Sequence, residues 1–155
     1  WRDRPVHLVG LAPRTAIGAL TLRRMGSDAF APGFRALPQS REVAAAVAAD
    51  PLALGFANLS HVSEATRALS LIGPDGRLVT GDAAGIRSGR YPLDRHLLIY
   101  VRRDGTGEVE PLAAAFLDFV LSPDGQRIIA QGTRGYMSLS REELKEQRRL
   151  VGLRP

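Results

Sequence analysis

Three histidines, His7, His61 and His96, with scattered serines and aspartates, are the side chains here that could ligate a metal or move a proton. Their spacing assembles neither chemistry. No His-Glu-x-x-His or comparable pairing puts two imidazoles on one helix face, and His7 and His96 fall in apolar runs that suit packed or rim positions of strands. A serine hydrolase would need its nucleophile on a tight strand-to-helix turn, and Gly-x-Ser-x-Gly is absent. Cysteine is absent too, which removes disulfides, thiolate metal sites and a thiol nucleophile but leaves the compartment open. The glycines from Gly81 to Gly89 carry neither Gly-x-Gly-x-x-Gly nor a P-loop lysine, so this stretch reads as a flexible connector. Tyr91, Tyr100, Phe116, Phe119 and Tyr136 could stack on a planar ligand, but their spacing on strand and helix faces predicts core packing. The chain is therefore expected not to be an enzyme and to hold no metal or cofactor.

At 155 residues, 45% hydrophobic and 24% charged, the composition is that of an ordinary globular chain. A net charge of +5 invites a nucleic-acid reading, yet the 20 arginines and one lysine are spread along the chain, clustering only as pairs such as Arg23-Arg24, Arg102-Arg103 and Arg148-Arg149. No continuous basic footprint results, and no nucleic-acid partner is expected. No apolar stretch approaches the ~20 residues of a membrane span, and no signal-peptide pattern opens the chain. Because it begins at Trp1 rather than Met, it is expected to be a piece or processed product of something longer.

The elements follow from local pattern. Pro5 to Gly10 is a short β-rich run, and Thr15 to Met25 a helix closed by Gly26. Ser27 to Gln39 reads as a loop. Ser40 can cap a helix through Ala49, with Val43, Ala44 and Val47 on one face, and Leu52 to Asn58 is the next strand. Ala68 to Ile72 and Arg77 to Thr80 flank a Pro74-Asp75-Gly76 turn, a hairpin. His96 to Val101, continuously apolar and bounded by charge, predicts a strand buried on both faces. Glu110 to Leu121 predicts a helix with Leu112, Ala115, Phe116 and Phe119 inward. Ser122-Pro123 opens another, and the capping box Ser140-Arg141-Glu142-Glu143 a last, charged one to Arg149. Strands and helices alternate, so the fold class is α/β.

Four segments carry a resemblance: Asp50-Pro51-Leu52-Ala53-Leu54-Gly55-Phe56, Tyr91-Pro92-Leu93-Asp94-Arg95 running into His96–Val101, Phe116-Leu117-Asp118-Phe119-Val120-Leu121-Ser122-Pro123-Asp124-Gly125-Gln126, and Gly135-Tyr136-Met137. In order and rough spacing they resemble the later part of the periplasmic phosphate-binding proteins, type 2 solute-binding proteins of ABC transporters. Trp1-Arg2-Asp3 is similar to the Trp-x-Asp near the start of that family's second lobe. The resemblance implies two α/β lobes joined by crossing strands with ligand between them. It assigns 1–90 to most of the second lobe and 91–155 to the return into an incomplete first lobe, whose opening segment is expected to be missing. It implies a periplasmic or extracellular location.

In that family an Arg-x-Asp-x-Ser-Gly-Thr turn opens a helix and holds the anion. Here Leu11 stands for Arg, Pro13 for Asp, Thr15 for Ser, Ala16 for Gly and Ile17 for Thr, with Arg14 one place inside the turn. Helix N-terminal N–H groups and the dipole still favour an anion. The residual site expected is Arg14, Thr15, Ala16 and Ile17. With an arginine and one or two hydroxyls gone, at roughly 1.5–3 kcal/mol per charged hydrogen bond, tight phosphate capture is not expected. The partners implied are a small oxyanion and an ABC transporter permease or other protein. Self-association follows if the apolar strand lacks its neighbours. The alternative is a protein-interaction module on a solute-binding scaffold that has lost its ligand.

Overall fold

The computed structural model describes residues 3–132 and 136–153, so Trp1, Arg2 and Gly135 of the motifs above lie outside the described residues. The chain divides into two units, Trp1–Arg95 and His96–Pro155.

The first unit is built on three parallel strands, β1 (His7–Leu11), β2 (Arg35–Leu37) and β3 (Ala53–Phe56), in the order β2-β1-β3. Register pairs Val9 with Arg35 on one side and with Gly55 on the other. Helix α1 (Ala16–Met25) connects β1 to β2, and α2 (Ser40–Ala49) connects β2 to β3. Gly26, at φ 64°, closes α1 in the left-handed conformation that glycine adopts without strain. Alternation puts Val9 and Leu11 on the face that Val43 of α2 covers, and Val43 is only 1% exposed. Gly55 is required on this face, because a Cβ there would press on Val43, Val47 and Val9. On the opposite face the Phe56 ring lies against Gly10 and joins Phe30 and Phe34 in an aromatic cluster with ring centroids 4.1–5.9 Å apart. Strand β2 was expected to be loop. Three residues are too few to show a period, and their pairing with β1, not their own propensity, makes them a strand.

Beyond a turn of 3-10 helix (Leu59–His61) comes the expected hairpin, β4 (Leu71–Ile72) against β5 (Leu78–Val79). Gly76 turns it at φ 76°, and Asp75 accepts from the Arg77 N–H at 3.1 Å. The connector after it is not formless. Asp82 caps a short helix, α3 (Ala83–Arg87), by accepting from the Gly85 N–H at 2.8 Å, and Gly85 lets the Thr80 carbonyl sit against that helix.

The second unit holds α4 (Pro111–Val120), α5 (Pro123–Gln131) and α6 (Arg141–Leu150). Ser122 caps α5, and Ser140 with Glu143 forms the expected capping box of α6. Gln126 ties the unit together: its amide donates to Val120 O at 2.8 Å and accepts from the Leu139 N–H at 2.8 Å. Arg148 of α6 reaches Asp118 of α4 at 2.8 Å. Two expectations are corrected here. His96–Val101 forms no strand, and its Leu98 is 63% and Tyr100 87% exposed. On α4 the buried residues are Leu117 and, just past its end, Leu121, whereas Leu112, Ala115, Phe116 and Phe119, all expected inward, are exposed. The cause is common to both: a strand apolar on both faces needs flanking strands and covering layers, and the described residues of this unit supply neither. The same exposure overturns the core-packing reading of Tyr100, Phe116 and Phe119, and Tyr136 is exposed as well.

Candidate functional site

The carboxyl ends of the parallel strands are where an open α/β sheet places its helix N-termini, and here those of α1 and α2 follow β1 and β2 directly. β1 ends at Leu11, whose side chain is buried in the core with Val9 and Val43. The turn Ala12-Pro13-Arg14 closes when the Thr15 N–H donates to Ala12 O at 2.9 Å. Thr15 is the N-cap: its Oγ1 accepts from the Gly18 N–H at 3.0 Å and donates to Ala12 O at 2.8 Å. Gly18 is obligatory, since a Cβ there would overlap the carbonyl oxygen of Ala12.

These contacts decide what each expected residue can offer. The N–H groups of Ala16 and Ile17 make no hydrogen bond among the described residues, as befits the first turn of a helix. The Ile17 side chain packs against the Val9, Leu11 and Val43 core, so only its backbone faces the site. The single proton of the Thr15 hydroxyl is held by Ala12 O, which leaves it no second proton for a ligand. Arg14 is exposed and has no ion-pair partner among the described residues. No acidic residue lies in the first turn of α1, so the positive end of the helix stays uncompensated, and Arg23 and Arg24 in the last turn complement the other end. The structure thus brings Arg14, Thr15, Ala16 and Ile17 into one turn holding two free backbone donors and one exposed cation.

At the start of α2, Ser40 is buried and its Oγ accepts from the Asn58 N–H at 3.3 Å, pinning the exit of β3 to the helix start. Neither that contact nor Asn58 was singled out from sequence. The only signal was Ser40 as a helix opener, and the structure makes Gln39 the N-cap. Glu42 in the first turn of α2 offsets its dipole, which leaves α1 the more favourable of the two for an anion.

His7 opens β1 at the other end of the sheet, and its Nδ1 lies 2.6 Å from Asp50 Oδ2. That bond, with a further hydrogen bond from the Leu52 N–H and the nearby Arg35, holds the Asp50 carboxyl below the usual carboxylate range. A cavity of about 560 Å³ opens there, lined by His7, Arg35, Ala46 and Asp50 among others, away from the Thr15 turn. His96 is exposed, and among the described residues no group of three or more histidine, aspartate or glutamate side chains gathers that could hold a metal ion.

No family model matches the chain. It is 25% identical over 155 residues to the phosphate-binding protein PstS of two Pseudomonas aeruginosa strains, PAO1 and UCBPP-PA14, covering 99% of this chain and 47% of theirs. The chain therefore spans about half the length of these curated relatives. Among solved structures, the phosphate-binding protein of a phosphate ABC transporter from Streptococcus pneumoniae superposes with a TM-score of 0.63 at 16% identity, over 95% of this chain and 65% of that one. Over nearly its whole length this chain is therefore related to the phosphate-binding components of ABC transporters, and it has their α/β fold of the type 2 periplasmic-binding kind.

Proposed function

We propose that this chain is a non-catalytic, solute-binding-like protein of the extracytoplasmic space in which phosphate binding is weakened or lost. In this reading 1–90 is most of the second lobe and 91–155 the return towards the first. The observation that carries it is the first turn of α1. Two backbone donors and an uncompensated helix end remain, while Leu11 buries its side chain in the core, Ile17 packs half-buried against it, and the Thr15 proton is spent on Ala12 O. A buried phosphate needs most of its charge and oxygens matched, and this turn supplies roughly the backbone share alone. The relatives' names supply the ligand class, an oxyanion, and the partner class, a transporter.

Calorimetry and thermal-shift titration with phosphate, sulfate and molybdate test the reading. The expected result is weak, salt-sensitive stabilisation at most, reduced by Arg14→Ala. A phosphate dissociation constant below about 10 μM, equivalent to roughly 7 kcal/mol, overturns the weakened site. A response lost only in Arg95→Ala would move the site elsewhere.

A further inference from the structure

The cavity of about 560 Å³ beside His7 has the size and the chemistry of a small-molecule site, apolar walls with a few polar groups. The strand register builds it. Period two puts His7 on the same face of β1 as Val9, and pairing sets Arg35 of β2 beside Val9, so both polar side chains stand on the face that α2 covers. Small side chains at Ala46 and Ala49 leave room between the last turns of α2 and the sheet, and Val6, Pro32 and Ala53 complete the apolar wall. Asp50 is committed on both oxygens: Oδ2 holds His7 Nδ1 at 2.6 Å, and Oδ1 accepts from the Leu52 N–H at 2.9 Å. Its carboxyl is held below the usual range and is charged at neutral pH, so Nδ1 carries the imidazole proton and Nε2 is the atom left for a ligand.

We propose that this cavity binds a small organic monocarboxylate with an apolar tail, its carboxylate between the Arg35 guanidinium and His7 Nε2 and its tail against Val6, Pro32 and the alanines of α2. Arg35 supplies the planar fork that matches a carboxylate. Among the described residues the cavity wall carries no charged or titratable group besides Arg35, His7 and Asp50. Asp50 already places one negative charge there, which disfavours a dianion. The single charge that a monocarboxylate adds is offset by a proton taken up on Nε2, which turns that atom from acceptor to donor. The site lies away from the Thr15 turn and does not rest on the oxyanion reading of that turn.

The three histidines supply the readout, because His7 lines the cavity and His61 and His96 do not. In NMR titrations benzoate is expected to shift the His7 imidazole signals saturably, with a Kd at or below about 1 mM, while those of His61 and His96 stay in place. Arg35→Ala should weaken binding at least about tenfold. Ala49→Leu, which fills the cavity from α2 without touching a polar group, should do the same with circular dichroism unchanged. Affinity should be at least about threefold higher at about pH 6 than at about pH 8, a dependence lost in His7→Gln. Benzyl alcohol has the tail without the charge and inorganic phosphate the charge without the tail, and each should bind at least about tenfold more weakly than benzoate. Because the chain spans about half the length of its curated relatives, the titration is also run on the longest form its gene encodes. Shifts that do not saturate or that reach all three histidines alike, undiminished binding by Arg35→Ala or Ala49→Leu, phosphate binding as tightly as benzoate, or a response absent from the longer form would each overturn the proposal.

Discussion

The two units of this chain spend similar apolar sequence in opposite ways. In the first, Val9, Leu11 and Val43 close on one another between a sheet face and a helix, and the aromatic trio of Phe30, Phe34 and Phe56 closes the other face at Gly10. In the second, Leu117 and Leu121 are buried, while Leu97 to Tyr100 and Leu112, Phe116 and Phe119 stay in solvent. The contrast is not one of hydrophobicity. A parallel strand buries both faces only between layers, and the first unit carries its layers in the β1-α1-β2-α2-β3 succession while the described second unit has three helices and no ladder. Burial is thus decided by neighbours, and an apolar run without them is an unmet demand for a partner.

The comparison breaks hardest at two matched glycines. A Cβ at Gly18 would overlap Ala12 O, and one at Gly125 would overlap Phe119 O, so each unit carries the same collision at a helix start. Gly18→Ala is expected to lower the stability of the first unit by about 3 kcal/mol, read from its urea midpoint. Gly125→Ala is expected to remove hydrogen-exchange protection from α4 and α5 while leaving the three-stranded sheet protected. Loss of protection in both units together would show that they fold as one.

A smaller effect separates buried from exposed side chains. Val43→Ala should cost about 2 kcal/mol, since it empties the most buried side chain of the sheet–helix core. Phe116→Ala, at a position 55% exposed, should stay within about 0.5 kcal/mol in dilute solution. A large loss at Phe116 under those conditions would mean that α4 is covered after all.

The smallest effect belongs to the acid limb. The folded Asp50 carboxyl titrates below its ordinary value because His7, the Leu52 N–H and Arg35 favour its charged form. Its contribution is therefore complete above the unfolded aspartate pKa of about 3.9 and is lost as pH falls through the lower folded value. Asp50→Asn should flatten the fall in unfolding midpoint below that pH, slightly, because the pair lies at the surface. A steeper acid limb in the variant would reverse the assignment.

Much of the first unit was legible in local chemistry. Thr15 and Gly26 bracket α1 because a hydroxyl accepts the Gly18 N–H of the first turn and glycine takes a positive φ at the end, and both facts are written in residue type. The Pro74-Asp75-Gly76 turn, the Ser122-Pro123 opening of α5 and the capping box at Ser140 were readable for the same reason. The site was legible as a turn and a set of residues but not as a set of donors. That the Thr15 proton goes to Ala12 O, and that Ser40 holds the Asn58 N–H, depends on where a carbonyl and a strand exit come to rest.

Sequence alone, through residue types acting over three or four positions, determined where α1, α2, α4, α5 and α6 run, where the chain turns, and the α/β class and kinship. Tertiary structure decided that Arg35–Leu37 is a strand, that Ala83–Arg87 is a helix, that His96–Val101 is not a strand, and which face of α4 is covered. A cap or turn is satisfied by atoms a few residues away. A ladder or a buried face is satisfied only by a partner distant along the chain, and His96–Val101 has all the propensity of a strand without one among the described residues.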